Sequence, residues 1–444
     1  MRGAFLAASC AFLGLVFASP GPVTAGEAPP DTLRRGTLLD RLQQADRAFY
    51  SDEIVYLDRS LADSGLAVLD SLGFEAFERE TLKGAHRGAL RFGFADRIGL
   101  YNRVEGGIAG LGMAWRLPIG PRPELTAQAG YASGPRKLRH STSLRTPLAV
   151  SHGAPSLEVG YADRVVRLYS DDRGVNFLTS FYGSDAEESY LRRRGGWAAL
   201  SWDRAPGGRW GLRYDAAVED SVRRRTDFGL FATERPMSFN IPVDEGAERS
   251  IEATWSAGSL LSGRQEASLR HRVAGGGLGG DFVYSRLTAE ASARRFLIWN
   301  HEAVLDLAYT RVGGWAPRQR LADLGGLGTV RGFAPRTQVG RESLRARVEL
   351  LLPYDLFARA RVPLLRRAGL QLVPWADAGR SWGACEDGSG GGSGCWLTSA
   401  GLGFQTLLGP FGAASFLRFD AAVPMGPERK DDLRLYLYFA RGLF

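Results

Sequence analysis

The sequence lacks the long apolar segments that a helical membrane protein needs. A membrane-spanning helix takes about 20 consecutive apolar residues, and no such run follows the N-terminal segment. Methionine is also scarce, because the 444 residues include 4 Met against 57 Gly, 23 Phe, 14 Tyr and 10 Trp. These absences exclude a helical membrane protein.

Residues that hold metals or perform catalysis are equally few. The 5 histidines are scattered, and neither an H-E-x-x-H motif nor a paired Cys/His spacing occurs. The G-x-S-x-G elbow, the P-loop and the dinucleotide fingerprint are absent as well. We therefore expect no metal, no cofactor and no enzymatic activity.

The N-terminus has the features of a signal peptide. Arg2 precedes an apolar run over residues 4–18, and the small-residue pattern Val23-Thr24-Ala25 follows it. Residues 1–25 are therefore predicted to be removed during export.

Two cysteines remain in the exported chain, because Cys10 lies inside the signal peptide. Cys385 and Cys395 flank the Gly/Ser-rich stretch "EDGSGGGSG". In an oxidising compartment we expect a disulfide between them that closes a surface loop. Two free thiols are the alternative.

Most of the chain alternates between apolar and polar residues with the period of two that is typical of β-strands. One such segment places Trp210, Leu212, Tyr214, Ala216 and Val218 on one face and Arg209, Arg213, Asp215 and Glu219 on the other. The alternation fits a soluble sandwich or propeller, whose apolar faces fill a core. It also fits a transmembrane barrel, whose apolar faces meet lipid.

Three features favour the barrel. The segments are about 10 to 14 residues long, which suits a tilted strand that crosses hydrocarbon. The chain is exported and ends on Phe444, which we interpret as a C-terminal barrel signal. Many strand ends also carry an aromatic residue of the kind found in an interfacial girdle. The candidate girdle residues are Trp115, Trp202, Trp299, Trp375 and Trp396.

The predicted fold class is therefore all-β, an antiparallel transmembrane barrel that covers 88–444 and has 16 strands, with 14 as the alternative count. The predicted strands start near Gly88, Gly106, Glu124, Lys137, Ser156, Gly196, Gly208, Glu248, Gln265, Asp281, Ile298, Glu342, Arg367, Cys395, Gly412 and Asp432. An even count places the long connections 169–195, 221–245, 313–341 and 380–394 together on the extracellular side.

The segment before the barrel, 26–87, is predicted to be helical. Ser51 can cap a helix, and Ile54, Leu57 and Leu61 recur at helical spacing. Such a segment would lie in the periplasm or plug the lumen. A frayed periplasmic extension is the alternative.

The long connection 313–341 contains the motif Val330-Arg331-Gly332-Phe333 within "LADLGGLGTVRGFAPRTQVG". It is followed by the strand "RESLRARVELLLPYD", by "LVPWADAG" and by a last strand that ends on Phe444. Together with "YNRVEG" at 101–106, these segments resemble the bacterial surface antigen superfamily of BamA, TamA and the two-partner-secretion transporters. In that family the sixth extracellular loop carries a [VL]-R-G-[FY] motif and folds back into the lumen.

The resemblance implies roles for particular residues. Arg331 is expected to pair with Glu349, Asp377 or both, because a fork of N–H donors suits carboxylates in a partly dehydrated lumen. Phe333 is expected to pack beside the loop. Glycines at 325, 326, 328 and 332 would let the loop turn sharply and approach the wall.

One departure from the family limits the functional expectation. Members that assemble or secrete proteins carry polypeptide-transport-associated modules before the barrel, and 26–87 contains no convincing set of strands. The resemblance favours assistance in protein insertion into, or translocation across, the outer membrane. The missing modules favour a passive or partner-gated pore.

The expected partners follow from the same features. They are outer-membrane lipids, client outer-membrane or secreted polypeptides, and lipopolysaccharide, whose phosphates would meet arginines 192–194 and 223–225 in outer loops. Nucleic acid is not expected, because the arginines behind the net charge of +8 alternate with acidic residues on strand faces. The predicted location is the bacterial outer membrane.

Overall fold

A computed structural model describes the strands and most of the loops that join them. The described residues are 88–92, 101–102, 104–120, 122–149, 154–168, 189–204, 208–225, 240–258, 264–297, 301–353, 370–384, 396–407, 415–425 and 433–441. The predicted signal peptide, the segment 26–87, Cys385, Cys395 and Phe444 lie outside these ranges. Among the described residues, no helix is long and apolar enough to cross a membrane.

The regular structure consists almost entirely of strands. They are β1 (Gly88–Phe92), β2 (Tyr101–Asn102), β3 (Gly106–Arg116), β4 (Glu124–Ala132), β5 (Lys137–Pro147), β6 (Ser156–Arg167), β7 (Tyr190–Arg204), β8 (Gly208–Ser221), β9 (Gly246–Gly258), β10 (Arg264–Ala274), β11 (Val283–Phe296), β12 (Glu302–Trp315), β13 (Ala322–Leu324), β14 (Gln338–Leu351), β15 (Leu370–Ala384), β16 (Leu397–Leu407), β17 (Ser415–Met425) and β18 (Arg434–Arg441). Short 3-10 turns cover Gly276–Leu278 and Arg318–Arg320.

Each long strand pairs antiparallel with its neighbours in the chain, from β1 with β3 to β17 with β18. β2 and β13 are short additions that pair with β3 and β14. Without those two, the sheet has 16 strands, and the prediction of an all-β fold with this count is confirmed. The largest error in a predicted start is at β7, which begins at Tyr190 and not at Gly196.

The strand faces show an inverted distribution of polarity. On β8, Trp210 and Leu212 are 43% and 48% exposed, whereas Asp215 and Glu219 are 3% and 0% exposed. A soluble sandwich requires the opposite, because its apolar faces fill the core. Side chains of the segment 316–337 contact the polar faces of β8 and β9 and also those of β14, β15 and β17. The polar faces therefore enclose a common interior, as in a barrel with a wet lumen and an apolar exterior.

Aromatic residues gather at the strand ends, as an interfacial girdle requires. Trp202, Trp210 and Trp255 lie side by side on adjacent strands, with ring centroids 6.4 and 6.2 Å apart. Trp115 and Trp396 are each 43% exposed. The assignment of Trp375 to this girdle is wrong, because its side chain faces the lumen and is 4% exposed.

β6, β8 and β12 end at the same end of the barrel, so the long connections that follow these strands begin there, as the even strand count predicts. Most of the fourth predicted connection, 380–394, lies outside the described residues. The inward loop is shorter than the predicted 313–341, because β12 and β14 extend beyond their predicted ends. Arginines 192–194 were expected in an outer loop, which is wrong, since they belong to β7. Their side chains pair with carboxylates of neighbouring strands, among them Asp163 and Asp220.

The inverted polarity predicts how charge is tolerated on the outside. Leu307 lies near the middle of β12 and is 37% exposed, so Leu307→Arg places a cation in hydrocarbon. We expect a loss of about 2–4 kcal/mol in the free energy of unfolding, measured by denaturant titration in lipid vesicles. Leu138→Arg, near the first residue of β5, is the matched control with an expected loss of about 0–1 kcal/mol. Equal losses at the two positions would contradict the membrane placement.

Candidate functional site

The segment 316–337 leaves the end of β12, pairs briefly with β14 through β13, and then turns into the lumen. The turn depends on Gly325, whose φ of 115° is open to glycine but strained for other residues. Thr329 closes it, because its hydroxyl accepts from Gly325 N at 2.7 Å and donates to Gly325 O at 2.8 Å. Gly326 N donates to Phe333 O at 3.0 Å. The motif residues are thus held in a tight loop.

Arg331 is the centre of the site, and its side chain is fully buried. Its Nε and Nη2 donate to the two oxygens of Asp377, both at 2.8 Å, in a bidentate pair. Its Nη1 lies 2.8 Å from Asp420 Oδ2 and 3.0 Å from Glu349 Oε1. The Arg331 backbone N–H also donates to Asp377, at 3.0 Å. One guanidinium therefore engages carboxylates on β14, β15 and β17.

Aromatic side chains complete the pocket around the motif. The guanidinium carbon of Arg331 lies 3.6 Å from the centroid of the Trp375 ring, in cation–π geometry. Gly332 N donates to the hydroxyl of Tyr436 at 3.0 Å, and the Tyr438 hydroxyl donates to Asp420 at 2.7 Å. Both tyrosines belong to β18, so the loop is also attached to the last strand.

Two further arginines balance the charge. Arg347 Nε lies 3.2 Å from Asp377, and Arg418 binds Glu349 and Asp420 at 2.7 to 3.0 Å. Three guanidinium groups thus meet three carboxylates, and the network is neutral overall. Neutrality matters because an unpaired charge in a dehydrated site lowers the stability of the folded protein by about 3–5 kcal/mol.

The charge on Arg331 persists despite its burial. Burial by itself lowers the pKa of the guanidinium, but the carboxylates of Asp377, Glu349 and Asp420 outweigh it and hold that pKa well above its usual value. The loop arginine is therefore a permanent cation that requires these partners.

The remaining motif residues pack against the wall. Val330 and Phe333 form a buried apolar cluster with Leu324 and Leu397. Arg345 donates to the carbonyl of Gly328, and Arg347 donates to Leu327 O at 2.9 Å, so the loop backbone is held from β14 as well.

The structure brings together the residues that the sequence placed in this site, namely Arg331, Glu349 and Asp377. The sequence analysis did not identify Asp420, Arg418 and Tyr436 as members of the site. A signal for the first two existed, since they share a face of β17 and alternate with the apolar residues of that strand. Their separation of about 90 residues from the motif concealed it.

One solved structure, a BamA barrel, supports the fold. No family model matches the chain, and no curated protein matches it in sequence. BamA from Haemophilus ducreyi, lacking POTRA domains 1–3, is 14% identical with a TM-score of 0.51, over 80% of this chain and 69% of that chain. CdiB from Acinetobacter baumannii is 14% identical with a TM-score of 0.42, over 80% and 58%. OccK11 from Pseudomonas aeruginosa is 14% identical with a TM-score of 0.32, over 80% and 93%.

Removal of the central arginine is predicted to be costly. Arg331→Ala leaves three buried carboxylates with only two guanidinium groups, so we expect a loss of about 3–5 kcal/mol in the free energy of unfolding in lipid vesicles. Arg345→Ala should cost less, because its main contact is a loop carbonyl. Arg311→Ala is the control: its pair with Glu342 is exposed on the outer face, where such pairs are worth about 0–1 kcal/mol. A loss at Arg331 no larger than that at Arg311 would show that the network does not stabilise the barrel.

The turn at Gly325 gives a second prediction. A Cβ there would lie 2.0 Å from Ala334 O, at a φ that other residues rarely adopt. We expect Gly325→Ala to cost about 1–3 kcal/mol and to expose the loop to added protease. Gly277→Ala is the matched control, because a Cβ at that position meets nothing within 4 Å. Similar proteolysis of the two variants would show that the loop turn does not require glycine at position 325.

Proposed function

We propose that this chain, which has the fold of the BamA-type outer-membrane barrels, helps polypeptides to insert into the outer membrane or to cross it. The observation that carries the proposal is the attachment of the inward loop to the last strand. Gly332 is bonded to Tyr436, and Tyr438 is bonded to Asp420, which also binds Arg331. The loop thus holds β18 from inside the lumen.

That attachment matters because β18 is one end of the strand ladder. β1 has 5 residues and β18 has 8, fewer than any of the other long strands. Short strands have few backbone hydrogen bonds to break, so their edges can open and pair with an incoming strand by β-augmentation. We infer that the seam between β1 and β18 receives a client strand while the Arg331 network keeps β14–β18 in shape.

The mechanism uses backbone hydrogen bonds and no catalytic group. Each residue of the client that pairs at the seam satisfies N–H and C=O groups that lipid cannot satisfy. The alternative is a passive or partner-gated pore, in which the seam has no role and solutes pass through the lumen.

We also propose that the outer loops meet the phosphates of surface lipids, lipopolysaccharide included. Arg223 and Arg225 follow β8 and are exposed, which suits such contacts. Arg192 and Arg194 suit them less well, because carboxylates already pair with their side chains.

The insertion proposal is tested by photocrosslinking in living cells. Leu435 on β18 is 44% exposed on the outer face, and a photoreactive phenylalanine at this position samples the seam. We expect crosslinked products that contain unfolded outer-membrane or secreted polypeptides. The matched control is the same probe at Ile251 on β9, which is 38% exposed and far from the seam.

The two positions decide between the candidate functions. Client products at Leu435 and not at Ile251 support insertion at the seam. Clean absence of clients at both positions, in a barrel that conducts ions in planar bilayers, would replace the proposal with the pore.

A further inference from the structure

The loop that carries Arg331 has a second buried arginine at its other end. Arg320 lies in the 3-10 turn Arg318–Arg320, and its side chain is 11% exposed. Its Nε donates to Glu248 Oε2 at 2.9 Å and to the Tyr284 hydroxyl at 3.1 Å. Its Nη2 contacts Glu219 and lies 2.5 Å from Glu248. Both carboxylates are 0% exposed, so this pairing takes place in the interior of the barrel.

Neighbouring residues strengthen this second attachment and connect it to an external loop. Gln319 Nε2 donates to Glu219 at 3.1 Å and to Asp244 O at 2.9 Å, while Asp244 N donates to Gln319 Oε1 at 3.2 Å. Arg318 N donates to the Asp244 carboxylate at 2.7 Å. Asp244 belongs to the connection 222–245, so that connection touches the loop where it enters the lumen.

The two attachments lie on different parts of the wall. Counting long strands only, Glu219 and Glu248 lie on the seventh and eighth strands, whereas Glu349, Asp377 and Asp420 lie on the twelfth, thirteenth and fifteenth. Because these two sets of acids are at least four strands apart, the segment between Arg320 and Arg331 spans part of the lumen. Its 11 residue steps can span at most about 36–40 Å when fully extended, which leaves slack for the turn at Gly325.

The environments of the two arginines differ. Arg331 is fully buried, its backbone N–H donates to Asp377, and the backbone N–H of Gly332 donates to the Tyr436 hydroxyl. Beside Arg320, the side chains of Arg318 and Asp244 are 56% and 45% exposed. Water and external partners therefore reach the Arg320 end first.

We propose that residues 318–332 form a strap inside the lumen that is held at Arg320, by the pairing of β13 with β14 and at Arg331, and that the channel opens by release of the strap at Arg320 while β13 and Arg331 stay bound. The proposal concerns how the lumen is closed, whatever passes through it, and does not depend on insertion at the seam.

The test is single-channel conductance of the full-length barrel in planar bilayers. Arg320→Met keeps the length and apolar stem of the side chain but removes its charge. We expect the open probability to rise about tenfold or more, a shift that corresponds to about 1.4 kcal/mol. Arg320→Lys keeps the charge without the planar fork and should restore closure in part. Arg311→Met is the control. Arg311 is exposed on the outer face of the barrel, so its replacement should leave conductance unchanged.

The outcomes separate cleanly. A folded Arg320→Met barrel with the open probability of the unaltered protein overturns the proposal. The same holds for an Arg311→Met barrel that opens equally, since a general loosening would then explain the effect. If Arg320→Met fails to fold, Tyr284→Phe decides, because it removes one partner of Arg320 and leaves the ring in place. An unchanged open probability in Tyr284→Phe then counts against the strap, and a raised one supports it.

Discussion

The structure depends on the burial of one positive charge. A guanidinium in a dehydrated interior is tolerated only when carboxylates surround it. An unpaired carboxylate destabilises the folded state to a similar degree. Arg331 and its three carboxylates therefore fix one another, and they fix the loop and the strands that carry them. Two further contacts require the loop to be in the same position. The Trp375 ring lies against the guanidinium, and Tyr436 of β18 accepts from Gly332.

The same need for partners explains why the polar side chains of the barrel wall gather in the lumen. A barrel in lipid must satisfy all of its backbone groups within the sheet, and its polar side chains are left with the lumen. The lumen then becomes a place where many charges meet at low exposure. Pairing within it is selective, and the two arginines of the loop bind separate sets of acids, on β8 and β9 for Arg320 and on β14, β15 and β17 for Arg331.

The strand count, most strand starts and two of the partners of Arg331 could be predicted from the sequence. A period of two is a strong signal, so the strand count and most of the strand starts followed from it. Parity along β14 placed Glu349 in the lumen, and the position of Asp377 on the next strand made it a partner of Arg331. Asp420 and Arg320 were missed because pairing across the lumen leaves no trace in local periodicity. Trp375 was misassigned because a tryptophan near a strand end looks the same whether it faces lipid or a buried cation.

The order of the residues along the chain has a consequence for how the protein matures. All three carboxylates around Arg331 follow it in sequence, on β14, β15 and β17, and both tyrosines come from β18. The loop therefore has no complete binding site until the last five long strands, β14 to β18, have paired. Contacts of such long range form late in folding, because the chain between them must first be ordered. The burial of Arg331 therefore requires that these strands have already paired.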